Sequence, residues 1–240
     1  MQLSFGVSTT TYALSIMRTS IADSLAAQGF LFLPEYAPGA TTGEVAAHLG
    51  QIARIEGVGP VQVLRPRDRE TAPPNIYSGS YGTNAFPLHT DLAHWAVPPK
   101  YLALRCVVGA PDVSTRLLDG KVLIERFGAG TLARTLVQPR RPVAGTRPLL
   151  RLLERGAAGS IRVRWDSLFN VPATAASAGV FAEVSEFLQS TCELTPVLCE
   201  PGDTLIIDNW RMLHGRAPVP PQSRSRHIER VYLNCVNVSE

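Results

Sequence analysis

The residues of this chain best suited to hold a transition metal are two histidines and one carboxylate. Phe86-Pro87-Leu88-His89-Thr90-Asp91 carries a His-x-Asp triplet. Side chains alternate faces along an extended chain, so His89 and Asp91 point the same way and reach one point without distorting the backbone. A second segment runs Gly202-Asp203-Thr204-Leu205-Ile206-Ile207-Asp208-Asn209-Trp210-Arg211-Met212-Leu213-His214-Gly215-Arg216. Two imidazoles and one carboxylate on one face of an octahedron leave three positions for a chelating cosubstrate and O₂, the donor set of non-haem Fe(II) oxygenases. Either segment alone is weak evidence. An isolated His-x-Asp is usually a surface or capping feature, and an isolated strand histidine is usually a hydrogen-bonded core residue. The remaining histidines, His48, His94 and His227, are assigned to structure or surface.

The elements around these segments must bring them together. A Gly-Asp turn leads into the apolar strand Thr204–Ile207, a polar Asp208-Asn209 corner follows, and the chain returns to His214. Further short β-rich runs are expected at Phe30–Leu33, Val61–Leu64, Tyr101–Val108, Ser114–Leu118, Ile161–Arg164 and Arg230–Val238. Helices are expected over Thr19–Gln28, capped by Ser20 and ended by Gly29, over Thr42–Ile55, and over Ala176–Gln189. Arg65–Asn84 is polar and rich in Pro, Gly and Ser, and reads as a long loop over the site. Many short strands separated by turns predict a mainly β sandwich or barrel with flanking helices, in one domain spanning residues 1–240.

Composition narrows the partners. The chain of 240 residues carries 23 Lys and Arg against 20 Asp and Glu, a net charge of +3, and its basic residues are nearly all Arg. The charge is too weak and dispersed to predict nucleic-acid binding, while Arg suits small carboxylates. No run approaches the roughly 18 apolar residues of a membrane span. Met1–Met17 lacks the basic start and apolar centre of a signal peptide, so a cytoplasmic location is expected. Cys106, Cys192, Cys199 and Cys235 show no zinc spacing and are expected to be buried, reduced thiols.

Taken together, the two metal segments resemble the taurine dioxygenase (TauD/TfdA-like) branch of the Fe(II)/2-oxoglutarate-dependent oxygenases. The His-Thr-Asp segment, followed by Trp95 and Pro98-Pro99, resembles that family's first metal motif. Gly202–Arg216 resembles the second, and Arg224-Ser225-Arg226-His227-Ile228-Glu229-Arg230-Val231-Tyr232 resembles its closing Arg-x-x-x-Arg strand. The resemblance runs roughly from Ser20 to Asn237 and is faint between Lys121 and Gly159. It implies a double-stranded β-helix, the jelly roll also called cupin-like, with Fe(II) held by His89, Asp91 and His214 as the catalytic centre. It implies 2-oxoglutarate as cosubstrate, with Arg226 pairing its distal carboxylate and Thr115 touching the same group. The family pattern Gly-Gly-x-Thr is replaced here by Pro111-Asp112-Val113-Ser114-Thr115. Arg230 matches a second arginine that meets anionic substrates in some members, while Trp95, Asn75 and Tyr81 are candidate substrate contacts.

The activity implied is oxidation, above all hydroxylation, of a C–H bond in a small molecule such as an amino acid or natural-product intermediate. Asp91 argues against halogenation, because related halogenases have a small residue there. Two alternatives stand beside this: a metal enzyme on the same barrel that does not use 2-oxoglutarate, and a non-enzymatic jelly-roll binding module.

Overall fold

The computed structural model describes residues 20–156, 159–191 and 193–237. The expectations for Met1–Met17, Cys192 and the last residue of the closing strand lie outside them. The core is built by strands whose alternate residues face different layers. A large antiparallel sheet has the order β1 (Phe30–Leu33), β12 (Thr204–Asp208), β5 (Tyr101–Val108), β14 (His227–Val236), β2 (Gly50–Ile52), and β3 (Gln62–Leu64) also pairs with β14. A second antiparallel sheet joins β4 (Phe86–His89), β13 (Met212–Arg216) and β6 (Thr115–Asp119).

The alternation explains the layering. Leu102, Leu104, Leu205, Ile207, Ile228 and Tyr232 of the large sheet pack against Leu117 and Met212 of the small one. Leu205 and Ile207 are fully buried, each contributing about 1.5–3 kcal/mol through burial. Their neighbours Ile206, Val231 and Leu233 face the opposite way, onto two helices through Leu25, Val45 and Leu49. Leu88, Leu118 and Leu213, on the outer face of the small sheet, pack on Val184 and Leu188 of the long helix Ala175–Ser190. The chain is mainly β with flanking helices, two sheets enclosed between helical layers.

Local signals set several boundaries. The first described helix is Ile21–Gln28; Ser20 Oγ accepts the Asp23 N–H at 3.1 Å, and Gly29 ends it at φ 80°. The helix expected over Thr42–Ile55 stops at Leu49 instead, and Gly50–Ile52 joins the sheet. A Cβ on Gly50 would lie 2.1 Å from the Cys235 carbonyl oxygen, so glycine permits this close strand pairing. Register with β14 has outweighed helical periodicity. The long loop contains a short helix, Tyr77–Tyr81, before the metal strand. The faint stretch from Lys121 holds two short helices and the small strands β7 (Leu136–Pro139), β8 (Leu150–Arg151) and β9 (Leu153–Arg155).

Among the described cysteines, Cys106 is buried as expected, but Cys235 is exposed; all three are free. Two arginines are structural. Arg105 is 3% exposed and donates to the carbonyls of Tyr36, Ala37, Ala40 and Gly202. Arg164, fully buried, donates to the carbonyls of Ala93, Trp95 and Ala96, pinning the chain just after Asp91. No helix among the described residues is long and apolar enough to cross a membrane.

Candidate metal centre and active site

His89 closes β4 and lies opposite His214 of β13 in the strand register. The approach of these strands needs Gly215, where a Cβ would lie 2.6 Å from the Phe86 carbonyl oxygen. Asp91 follows two residues after His89, so ligand atoms from three positions come within 4.8 Å of one another, all buried. Asp91 Oδ1 is 3.4 Å from His89 Nε2 and 3.6 Å from His214 Nε2. His89 Nδ1 is 2.9 Å from the Pro87 carbonyl oxygen, which accepts the Nδ1–H and leaves the Nε2 lone pair for a metal. His214 Nδ1 is buried with no partner among the described residues. Two imidazole nitrogens facing one carboxylate oxygen fit a divalent transition metal.

The other side of Asp91 is occupied. Its Oδ2 accepts from Arg230 Nη1 at 2.7 Å and from the Tyr232 hydroxyl at 3.0 Å. Burial alone would push the Asp91 carboxyl up, but the Arg230 charge and the imidazoles outweigh it and hold it well below the usual carboxylate range. Its backbone is fixed as well. Asn209, fully buried, accepts the Asp91 N–H at 2.7 Å and donates to the Asp91 and Pro99 carbonyls, both at 3.0 Å. The Asp208-Asn209 corner, expected to shape the turn before His214, also braces the metal carboxylate across 118 residues of sequence. Immediately after it, Leu92 sits at φ 54°, in the left-handed region that non-glycine residues seldom occupy.

These groups form the floor of a cavity of about 630 Å³, within the range of small-molecule sites. Arg226, Ile228, Arg230 and Tyr232 all line it, as alternation along β14 requires. Arg226 is 6% exposed and its Nε has no hydrogen-bond partner among the described residues. Among the described residues no carboxylate pairs with it, and burial pushes its guanidinium down to about 10. Thr115, 3% exposed, lines the same cavity, opposite Arg216 in the β6–β13 register. Arg224 is different: it is exposed and bonded to Asp68 at 2.8 Å through both terminal nitrogens.

Placement of the other sequence candidates is mixed. Asn75 lines the cavity. Tyr81 and Trp95 do not; Tyr81 stacks on Tyr77, and Trp95 donates to His94 Nε2 at 3.1 Å and faces a separate surface groove. Tyr77 takes the nearer place, stacked on the His89 ring with centroids 4.1 Å apart. His94, assigned to structure from sequence, also lines the cavity. So does Asp166, a buried carboxylate that accepts the Leu168 and Phe169 N–H groups at 2.8 Å. Burial raises its carboxyl above the ordinary range. No motif around Trp165-Asp166 announces it. Tyr232 was legible only through its spacing of two from Arg230.

The double donation to Asp91 Oδ2 has a measurable consequence. Tyr232→Phe keeps the buried ring and removes one donor. Fe(II) affinity in an anaerobic titration should fall by about tenfold, the lower end of the effect of outer-sphere partners. Unchanged affinity would leave the task to Arg230 alone.

The comparisons with known proteins agree with this geometry. The model of the "Taurine catabolism dioxygenase TauD, TfdA family" matches residues 127–232, which include His214, Arg226 and Arg230. Clavaminate synthase 2 of Streptomyces clavuligerus is 27% identical over 164 residues, covering 60% of this chain and 48% of its own length. The chain thus spans about half of that curated relative. Asparagine oxygenase, solved with Fe(II), 2S,3S-3-hydroxyasparagine and succinate, superposes with TM-score 0.67 at 19% identity over 94% of this chain and 79% of its own. The non-haem iron oxygenase OrfP, solved with Fe, succinate and (3S)-hydroxy-L-Arg, gives 0.61 at 20% identity over 93% and 79%. PvcB of Pseudomonas aeruginosa gives 0.61 at 17% identity over 87% and 77%. Family match, relative and shared fold agree: over residues 127–232 the chain is similar to the TauD/TfdA dioxygenase family, and its fold is that of solved non-haem iron oxygenases.

Proposed function

We propose that the protein is an Fe(II)- and 2-oxoglutarate-dependent oxygenase that hydroxylates a C–H bond of a small organic molecule. The observation that carries this is the joint presence, in one cavity, of the His89–Asp91–His214 cluster and the buried guanidinium of Arg226, with which no carboxylate pairs among the described residues. A buried charge without a partner is costly. It is best explained by a ligand carboxylate that completes it.

His89, Asp91 and His214 hold the iron in this reading. When bound, iron supplies the O₂-dependent oxidation coupled to decarboxylation of 2-oxoglutarate to succinate. Arg226 binds the distal carboxylate of 2-oxoglutarate through charge-assisted hydrogen bonds, and Thr115 lies beside it. Arg230 and Tyr232 keep Asp91 turned with a single oxygen toward the metal. Arg230 spends three N–H contacts on Asp91 and Gln62, and its remaining N–H groups can meet a polar group of the substrate, with Asn75 on the cavity wall. The intact Asp91 carboxylate favours hydroxylation over halogenation. The facing antiparallel sheets support a double-stranded β-helix, working as one oxygenase domain. A cytoplasmic setting, with reduced cysteines, belongs to the same proposal.

The test is anaerobic addition of Fe(II) and 2-oxoglutarate, read by visible absorption. A weak charge-transfer band, and succinate release once O₂ is admitted, are expected. Bound iron without the band would point to metal chemistry that does not use 2-oxoglutarate.

A further inference from the structure

The charges on the cavity wall are strongly one-sided. Arg216, Arg226 and Arg230 line its inner part, and Arg65, Arg67, Arg140 and Arg141 line it from two segments that face it, after β3 and after β7. The last four are exposed. The carboxylates on the same wall are Asp91 and Asp166. Seven guanidinium groups against two carboxylates leave the wall five charges positive, whereas the whole chain is only +3, so the rest of the molecule is net negative by two. Among the described residues, Arg230 is the only one of the seven in an ion pair. Arg65 contacts His227 Nδ1, and Arg140 donates to the Ser167 and Leu168 carbonyls, so neither is neutralised.

Iron and 2-oxoglutarate do not remove this excess, because a divalent cation and a dianion cancel. The same cavity wall also carries apolar side chains, Leu64, Ile76, Phe86, Leu92, Leu168 and Phe169. A single-sign field in a cleft with low-dielectric walls concentrates ligands of the opposite charge. Guanidinium forks suit carboxylate, phosphate and sulfonate groups.

We infer that Arg65, Arg67, Arg140 and Arg141 form an anion-recognition rim, and that the substrate is an organic anion with an apolar body. Its acidic group is held at the rim while the body places a C–H bond near the metal floor. This rests on the oxygenase reading above and narrows it. A side chain carrying a cation, as in the (3S)-hydroxy-L-Arg solved with OrfP, is disfavoured.

The probes are anilinonaphthalene sulfonate and its uncharged parent, phenylnaphthylamine, which share an apolar body and differ by the anionic group. They are titrated by fluorescence into anaerobic protein loaded with Fe(II) and 2-oxoglutarate. The sulfonate should bind about tenfold more tightly, the size expected when several weak, exposed ion pairs act together. That preference should shrink at high salt. It should largely vanish in R65Q/R67Q/R140Q/R141Q and fall by part in R67Q/R141Q, whose side chains bond nothing else among the described residues. The iron–2-oxoglutarate band should persist in both variants. Equal affinity for the two probes, binding of neither, or a preference that survives in the variants overturns the rim. Absence of the band in the native protein overturns the oxygenase reading instead, whatever the probes do.

Discussion

His214→Ala is expected to abolish the iron–2-oxoglutarate band and to reduce turnover to background. His214 is one of three groups whose ligand atoms lie within 4.8 Å of one another, and Ala supplies no donor. Loss of an outer-sphere partner alone typically lowers metal affinity by about 10–100-fold, so loss of a direct ligand should cost at least about a hundredfold. The variant should still fold. His214 Nδ1 has no hydrogen bond to lose among the described residues, and its neighbours Leu213 and Met212 keep β13 anchored in two hydrophobic clusters. Anaerobic titration with Fe(II) separates the effects: a native thermal midpoint with no band supports the assignment. A variant that retains the band at native iron concentrations would remove His214 from the metal set.

The second large effect is expected at Arg226, and its sign differs between binding and stability. Arg226→Met should raise the KM for 2-oxoglutarate by about 10²–10³-fold, because losing one partner of a buried, hydrogen-bonded charge pair costs about 2–5 kcal/mol. In the absence of cosubstrate the same variant should be more stable than the native protein. The native guanidinium is 6% exposed and, among the described residues, has no carboxylate to offset its desolvation, and replacing such a charge by an apolar side chain of similar shape relieves that penalty. Fe(II) binding without 2-oxoglutarate should be unchanged. Arg224→Met is the control, since its ion pair with Asp68 is exposed and such pairs are worth about 0–1 kcal/mol. A variant at Arg226 that loses stability and keeps its KM would show a structural arginine instead.

The sequence by itself determined the parts of the site that depend on local geometry. The spacing of two in His89-x-Asp91 places both on one face of an extended chain. The same alternation carries Arg226, Ile228, Arg230 and Tyr232 to a common wall. Apolar runs marked most strands of the two sheets, and Ser20 and Gly29 marked the ends of the first helix. Tertiary structure decided what depends on pairing between distant segments. Helical spacing after Thr42 gave way to strand pairing at Gly50 because β14 offers backbone partners there. Trp95, four residues from Asp91, turned away from the cavity, in a stretch that Arg164 holds by three carbonyls. Arg230 met Asp91, 139 residues away, and Asn209 braced the same residue from another corner. Asp166 and the exposed arginines joined the cavity from segments with no motif of their own. Local spacing fixes the face on which a side chain stands. Only long-range register and packing determine which charge stands opposite it, and those contacts set the electrostatics of this site.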